Sequence, residues 1–239
     1  MTNYELLLKI NDRAKKNIEA VYSSKKMDAI NKCISYTEDL NLWVSNCEKF
    51  SDYPLVKEAQ DECLKSIFMC AQGFYKESIV TLRQFLEHFL FAILLSTNDY
   101  KHRLWQLGQY DVSWTQIVDG QNGVFGTVFI SAYARDIDQE RSMELLTIAK
   151  NVYRECSEFV HGNYEKLVTL SDNLEYNEKM LDMYIDYFSS ISYLISMALL
   201  IRFREMLDDK EKLTTLETVI TDNLGMLPEV QVLYSIEGE

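Results

Sequence analysis

Helix-breaking residues are scarce in this sequence, and their scarcity narrows the folds that the chain can adopt. The 239 residues include 2 prolines and 8 glycines, and Pro54 and Pro228 both stand at plausible edges of helices. Apolar residues make up 47% of the chain, which is enough for a sizeable core. The sequence therefore predicts an all-α fold built from long helices rather than from many short strands.

Apolar residues recur at helical spacing along most of the chain. We predict an opening helical region over 3–50 with a break near 23–24, then helices over 55–72, 74–96, 138–160, 174–208 and 210–223. The stretch 167–173 reads as an interruption. Four of the glycines lie between Gly108 and Gly126, so residues 107–127 are predicted to form a long loop insertion. Packed antiparallel, these helices would form a bundle core over 51–208, with an N-terminal helical extension (1–50) and a C-terminal helix and tail (209–239).

Charge and cysteine content limit the environment and the partners. The net charge is −13, which argues against broad, non-specific nucleic-acid binding but allows a local basic groove or a basic partner. The 5 cysteines form no C-x-x-C pair, which indicates reduced, buried thiols in a cytosolic protein and no structural zinc. We predict no cofactor and no metal.

Membrane insertion and export are not expected. The N-terminus mixes charges too early for a signal peptide. The most apolar run, 187–201, spans about 15 residues, whereas a membrane span needs about 20. We therefore predict a buried core helix at 187–201, no membrane association and a cytoplasmic location.

One of the three histidines lies in a pattern that suggests chemistry. Histidine titrates near neutrality, so a metal-free hydrolytic site in this chain would use His88, His102 or His161. His102 lies in the polar stretch NDYKHR and is predicted to be solvated. His161 follows Arg154 by seven residues on one predicted helix, in YRECSEFVHGNY. Gly162, directly after it, suits the left-handed position that ends a helix.

The spacing of Arg154 and His161 aligns them on one helix face. Seven helical steps leave them within about 20° of each other and about 10 Å apart along the axis. Side chains lean toward the helix N-terminus, so His161 leans toward Arg154, and Glu158 is placed to pair with Arg154. An imidazole can take a proton from a ribose hydroxyl, and a guanidinium can hold a phosphate and stabilise the charge of the transition state. The pair suits phosphodiester cleavage without a metal.

The segment YRECSEFVHG, with an arginine and a histidine separated by six residues near the end of a late helix, resembles the signature of the HEPN superfamily. The resemblance, over residues 55–208, implies a HEPN-like antiparallel helical bundle that forms a homodimer and places two Arg–His pairs in one composite cleft. It also implies a metal-independent endoribonuclease of bacterial defence or toxin–antitoxin systems. Arg154 and His161 would then be catalytic, RNA would be the substrate, and an antitoxin or another defence-system protein would be a partner.

A second pair, Arg83 and His88, fits the same loose pattern with four intervening residues. Five helical steps place these two residues about 140° apart, and His88 falls among apolar neighbours, so we predict a core or interface histidine. Arg83 and Glu87 stand four residues apart and are predicted to pair. Together with Glu158, they are expected to support the candidate site.

Two other interpretations stay open. A non-catalytic helical interaction module (an adaptor, immunity or antitoxin-like protein) fits the net charge of −13 and the acidity of Glu155 beside Arg154. Arg154 and His161 could also have no catalytic function, because positive side chains in the last turns of a helix stabilise it by interacting with the helix dipole. A small-molecule enzyme has less support, because no paired-carboxylate, nucleophile or metal-ligand arrangement is recognisable. The nearest match to the E-x-x-H pattern of di-iron bundles, Glu158 with His161, occurs once.

Overall fold

The computed structural model describes residues 2–169 and 174–235. Within these residues the protein is all helical, with no β-strand, which confirms the predicted all-α fold. The α-helices are α1 (Asn3–Ser23), α2 (Met27–Asn46), α3 (Pro54–Ala71), α4 (Tyr75–Leu95), α5 (Asp99–Gln106), α6 (Trp114–Ile117), α7 (Thr127–Tyr133), α8 (Gln139–Val160), α9 (Tyr164–Thr169), α10 (Glu178–Arg202), α11 (Lys210–Leu224) and α12 (Pro228–Ser235). Short 3₁₀ turns occupy Phe50–Asp52 and Arg204–Asp208.

The predicted helix boundaries hold for α3, α4, α8 and α11, and the chain breaks between α1 and α2 as expected. The predicted helix 174–208 is shorter in the structure. It begins after Asn177, whose side chain accepts a hydrogen bond from the backbone amide of Met180, and it gives way to a 3₁₀ turn after Arg202. The predicted C-terminal tail contains α12. Residues 236–239 of that tail and residues 170–173 of the predicted interruption lie outside the described residues.

Contacts between helices define the directions in which they run. The tight turn at Gly73 makes α3 and α4 an antiparallel hairpin. The backbone amide of Asn177 donates to the Tyr75 hydroxyl, so α4 and α10 begin at the same end of the bundle. Arg83, in the first half of α4, contacts Ser157 in the last turn of α8, and α8 therefore runs opposite to α4. We call the end of the bundle where α3 and α8 finish and α4 and α10 start the near end.

One hydrophobic core includes residues from the predicted N-terminal extension, the predicted bundle core and the predicted C-terminal region. Helix α2 contributes Tyr36 and Trp43 to the same buried cluster as Phe89 of α4, and α11 contributes Leu216. The Tyr36 hydroxyl also donates to the carbonyl of Ser192 in α10, 3.1 Å away. The sequence boundaries at 50/51 and 208/209 thus lie within a continuous core, because the apolar faces of α2 and α11 are buried against α3 and α10.

The glycine-rich segment between α5 and α7 is packed against the bundle. It contains the short helix α6, and Ile117, Val124 and Phe125 are fully buried. Gly123 and Gly126 allow the backbone to fold closely on itself, since a Cβ at either position would lie within 2.4 Å of a backbone oxygen. The segment that was predicted to be a long loop insertion thus contains a short helix and is anchored in the core.

Helices α4 and α10 are each long and apolar enough to cross a membrane by length and composition alone. In both, 61% of the most apolar window is buried inside the protein, as in a core helix of a bundle. The predicted apolar run 187–201 lies within α10, and Ile191, Leu194 and Leu199 are fully buried there. All five cysteines are also buried and unpaired, which confirms the prediction of buried thiols.

Candidate functional site at the end of helix 8

The end of α8 is fixed by burial on one side and by a cap at its terminus. Cys156 and Phe159, in the last two turns, are fully buried and hold this part of the helix against the core. Gly162 has a φ of 70°, which confirms the predicted left-handed cap. The backbone amide of Asn163 donates to the carbonyl of Glu158, 3.1 Å away, and closes the last turn. His161 is therefore held by the backbone at the point where the helix stops.

Arg154 and His161 both face solvent. The Arg154 side chain is 67% exposed, and its only ion pair among the described residues is with the adjacent Glu155, at 3.5 Å. His161 is exposed, and within residues 2–169 and 174–235 its imidazole makes no hydrogen bond. Both side chains are thus free to meet a ligand, and a single copy of the chain leaves them open to solvent.

The two carboxylates beside Arg154 are bound by a lysine from the next helix. Lys166 Nζ in α9 lies 2.8 Å from Glu155 Oε2 and 3.7 Å from Glu158 Oε2. The hydrogen bond from Lys166 lowers the pKa of Glu155. Burial of Lys166 alone would lower its own pKa, but its contacts with Glu155 and Tyr187 outweigh that effect and raise it. The prediction that Glu158 pairs with Arg154 is therefore wrong: Glu158 pairs with Lys166, and Arg154 pairs with Glu155.

Lys166 was not identified as a site residue from the sequence. It lies beyond the glycine that ends α8, in a short helix with no apolar periodicity to orient it. Its position depends on how the chain turns back after Gly162, and no local pattern in the sequence specifies that turn.

Arg83 and Glu87 contact α8 from the neighbouring helix α4. Arg83 pairs with Glu87 at 3.2 Å, as predicted, and its Nε donates to the hydroxyl of Ser157 at 3.0 Å. The Arg83 guanidinium also donates to the Tyr153 hydroxyl and lies over that ring, 4.3 Å from its centroid. Tyr153 and Ser157 precede Arg154 and Glu158 by one residue and face α4. Arg83 and Glu87 therefore hold α8 on the side that packs against α4, and they do not line its exposed face.

An aromatic stack completes the support of α8. Trp114 in α6 lies flat on Tyr153, with ring centroids 3.9 Å apart and an interplanar angle of 6°. Burial raises the pKa of Tyr153, so its hydroxyl stays neutral and continues to bridge Arg83 and Glu87. The glycine-rich segment thereby reaches the back of the candidate site, a contact that the sequence did not indicate.

The other two histidines are structural. His88 is half-buried where α4 packs on α3, and its Nδ1 lies 2.9 Å from Oε2 of the buried Glu62. This agrees with its predicted packing role. The prediction that His102 is solvated is wrong: its ring is buried and packs against Tyr53, with centroids 3.9 Å apart, because α5 folds back onto the bundle. Burial lowers the pKa of His102.

One cavity of about 570 Å³ lies away from the end of α8. It is lined by the end of α4, by α5 and by the glycine-rich segment, with Lys101, Tyr110 and Asp119 at its wall. None of the predicted site residues lines it. Within the described residues, no group of three or more His, Cys, Asp or Glu side chains is arranged to hold a metal ion.

Comparison with known proteins does not extend these observations. No protein-family model, no curated protein and no solved structure matches this chain.

Proposed function

We propose that the chain is a HEPN-like, metal-independent endoribonuclease in which two copies bring their Arg154–His161 pairs together in one site. The observation that carries the proposal is the exposure of both side chains at a capped helix end whose neighbouring carboxylates are bound by Lys166. Because Lys166 compensates Glu155 and Glu158, the phosphate of an approaching RNA meets less repulsion than the sequence alone suggests. Because the motif resembles the HEPN signature, we place this activity in bacterial defence or in a toxin–antitoxin pair.

The chemistry requires one base, one acid and one cation. His161 of one copy takes the proton of a ribose 2′-hydroxyl, and the 2′-oxygen attacks the adjacent phosphorus. The bond from phosphorus to the 5′-oxygen breaks, and the protonated His161 of the second copy gives its proton to that oxygen. Arg154 holds the non-bridging oxygens and stabilises their increased negative charge. The products are a 2′,3′-cyclic phosphate and a 5′-hydroxyl.

Purified variants incubated with total RNA in EDTA test the proposal. General acid–base catalysis contributes about 10²–10⁴-fold, so we expect His161→Ala and Arg154→Ala each to slow cleavage by at least about 100-fold. Lys150→Ala is the matched control, because Lys150 is an exposed cation on the same helix. Absence of cleavage by the wild-type chain, or equal cleavage by the variants, contradicts the proposal.

A non-catalytic interaction module is the second candidate, and it is favoured by the charge of the chain. A net charge of −13 repels RNA but attracts a basic protein, and the Arg154–Glu155 contact partly occupies the guanidinium. In this case, the wild-type chain leaves RNA intact in EDTA and forms a complex with a basic partner that dissociates as salt is raised. Induction of the chain alone then leaves growth unchanged, whereas an active ribonuclease of the toxin type slows it.

A further inference from the structure

The cavity of about 570 Å³ beside α5 has the size of a ligand-binding site. Pockets that bind small molecules typically measure about 300–1,000 Å³. This cavity lies between the last turn of α4, the first turn of α5 and the segment 110–122, which includes α6. Since α4 begins at the near end and finishes at Leu95, the cavity lies away from the proposed catalytic pair. We call it the α5 cavity.

The walls of the α5 cavity are held in place by the core. His102 is buried against Tyr53, which fixes α5 on the bundle. Ile117 and Phe125 are fully buried and fix α6 and the glycine-rich segment. A site that is formed in advance loses little conformational entropy when a ligand binds. The cavity is therefore suited to bind a ligand without rearrangement of these elements.

The polar part of the wall has unused hydrogen-bond donors. The side-chain oxygen of Asn98 accepts from the backbone amide of Lys101 at 2.9 Å, and that of Gln116 accepts from the backbone amide of Ser113 at 3.0 Å. Both oxygens thus cap helices, whereas the two side-chain NH₂ groups make no hydrogen bond to any residue that the structure describes. A wall with free donors and occupied acceptors suits a ligand that accepts hydrogen bonds.

Lys101 supplies a positive charge that is not neutralised within the cavity. Its ammonium group lies 5.5 Å from the centre of the Tyr110 ring, and in residues 2–169 and 174–235 it has no ion pair. The carboxylate among the lining residues, Asp119, accepts through Oδ1 from the backbone amides of Gln121 and Asn122, at 3.1 and 2.7 Å. These hydrogen bonds lower the pKa of Asp119, so it stays ionised.

These charges favour a ligand with one negative charge over a ligand with two. A phosphate monoester carries about −1.5 to −2 at pH 7, and its second charge would meet Asp119 without a second cation among the lining residues. A carboxylate has one charge and two oxygens. Lys101 and Asn98 stand three residues apart on one face of α5, so one carboxylate can accept from both side chains.

Apolar side chains complete the α5 cavity. Leu94, Leu95 and Val112 line it, and Leu95 and Val112 also belong to the buried core. Tyr110 adds the face of an aromatic ring. Walls of this kind bind the apolar or aromatic part of a ligand, while a few polar groups fix its orientation. The ligand therefore combines a carboxylate with an apolar body.

We propose that the α5 cavity binds a small monocarboxylate with an aromatic or apolar body. The carboxylate accepts hydrogen bonds from Lys101 and Asn98. The body packs against Leu95, Val112 and Tyr110. The proposal goes beyond the ribonuclease chemistry and does not rest on it, because neither residue of the proposed catalytic pair lines the cavity.

Ligand-observed NMR titrations of the full chain test the ligand class. We expect indole-3-acetate to bind with a dissociation constant below about 3 mM, from the binding energy per atom that is typical of small ligands. Its neutral amide, indole-3-acetamide, and acetate, which lacks the ring, should each bind at least about tenfold more weakly. A weaker dissociation constant for indole-3-acetate, equal binding of the amide, or tighter binding of the dianion 1-naphthyl phosphate overturns the proposal.

Variants locate the site. Lys101→Ala should weaken the binding of indole-3-acetate at least about tenfold, because it removes a charged hydrogen bond, whereas Lys101→Arg keeps the charge and should retain binding. Lys32→Ala is the matched control, because Lys32 is exposed on α2, which does not line the cavity. Far-ultraviolet circular dichroism confirms that each variant is folded. Unchanged affinity in Lys101→Ala overturns the proposal. So does a loss of affinity in Phe68→Asp, because Phe68 lines a separate apolar groove between α1, α2 and α3.

Discussion

The contact between His88 and Glu62 predicts a pH-dependent contribution to stability. Glu62 is 5% exposed, and its Oε2 lies 2.9 Å from His88 Nδ1. The hydrogen bond that His88 donates to Glu62 outweighs burial and raises the pKa of His88, and the nearby Glu87 and Glu58 act in the same direction. Because the folded-state pKa of His88 exceeds its unfolded value of about 6.5, the contribution is complete below about pH 6.5 and is lost as the pH rises through the folded-state pKa.

The magnitude follows from replacing His88 with glutamine, which keeps an N–H donor without a charge. A hydrogen bond to a charged group contributes about 1.5–3 kcal/mol and a neutral one about 0.5–1.5 kcal/mol. The His88 side chain is 32% exposed, so solvent screens its charge. We therefore take the difference between the charged and the neutral hydrogen bond as about 1 kcal/mol. His88→Gln is therefore expected to be about 1 kcal/mol less stable than the wild-type chain at about pH 5.5, and nearly equal to it at about pH 9.

Urea unfolding at both pH values measures this difference. In a chain of this length, 1 kcal/mol corresponds to about 2–4 °C in Tm, so thermal unfolding gives an independent reading. His161→Gln is the control, since His161 is exposed and its substitution should leave the pH dependence of the wild-type chain unchanged. The reasoning is refuted if the deficit of His88→Gln is the same at both pH values or grows as the pH rises.

Three further predictions concern the packing around α8. Trp114→Ala removes the stack on Tyr153 and should lower the free energy of unfolding by at least about 0.5–1.5 kcal/mol, with faster proteolysis within residues 107–126; unchanged proteolysis would contradict the anchoring of this segment. Phe159→Ala leaves a cavity beneath the site and should cost about 3–5 kcal/mol in urea unfolding, and a loss below 1 kcal/mol would show that the end of α8 is not held as described. Burial raises the pKa of Cys156 to about 12, and since all five thiols are buried, a disulfide reagent should label them only after denaturant is added; rapid labelling of the native chain would contradict this.

Much of the fold could be predicted from the sequence because it depends on local patterns. The apolar stripe of α3 and the glycine at its end specify a helix and its stop, and Gly162 likewise marks the end of α8. These signals act within one or two turns of the chain. The all-α class and most helix boundaries follow from them.

Long-range packing accounts for what the sequence did not reveal. His102 lies in a stretch of polar residues, but the return of α5 onto Tyr53 buries its ring. Lys166 binds Glu155 only because the chain reverses after α8, and Trp114 reaches Tyr153 only because a glycine-rich segment folds back on α8. Each contact joins residues whose spacing carries no period, so a pattern of local spacing cannot predict it.

The chemical nature of the ends left on a cut RNA tests the central claim most directly. If His161 removes the 2′-hydroxyl proton, the wild-type chain in EDTA cuts a defined single-stranded RNA to give 2′,3′-cyclic phosphate and 5′-hydroxyl ends. The same RNA with a 2′-deoxyribose at the cleavage position should remain intact there, and His161→Ala should cut the RNA at least about 100-fold more slowly than the wild-type chain. Cleavage that yields 3′-hydroxyl and 5′-phosphate ends, that occurs at the deoxyribose, or that His161→Ala carries out at the wild-type rate would contradict the account.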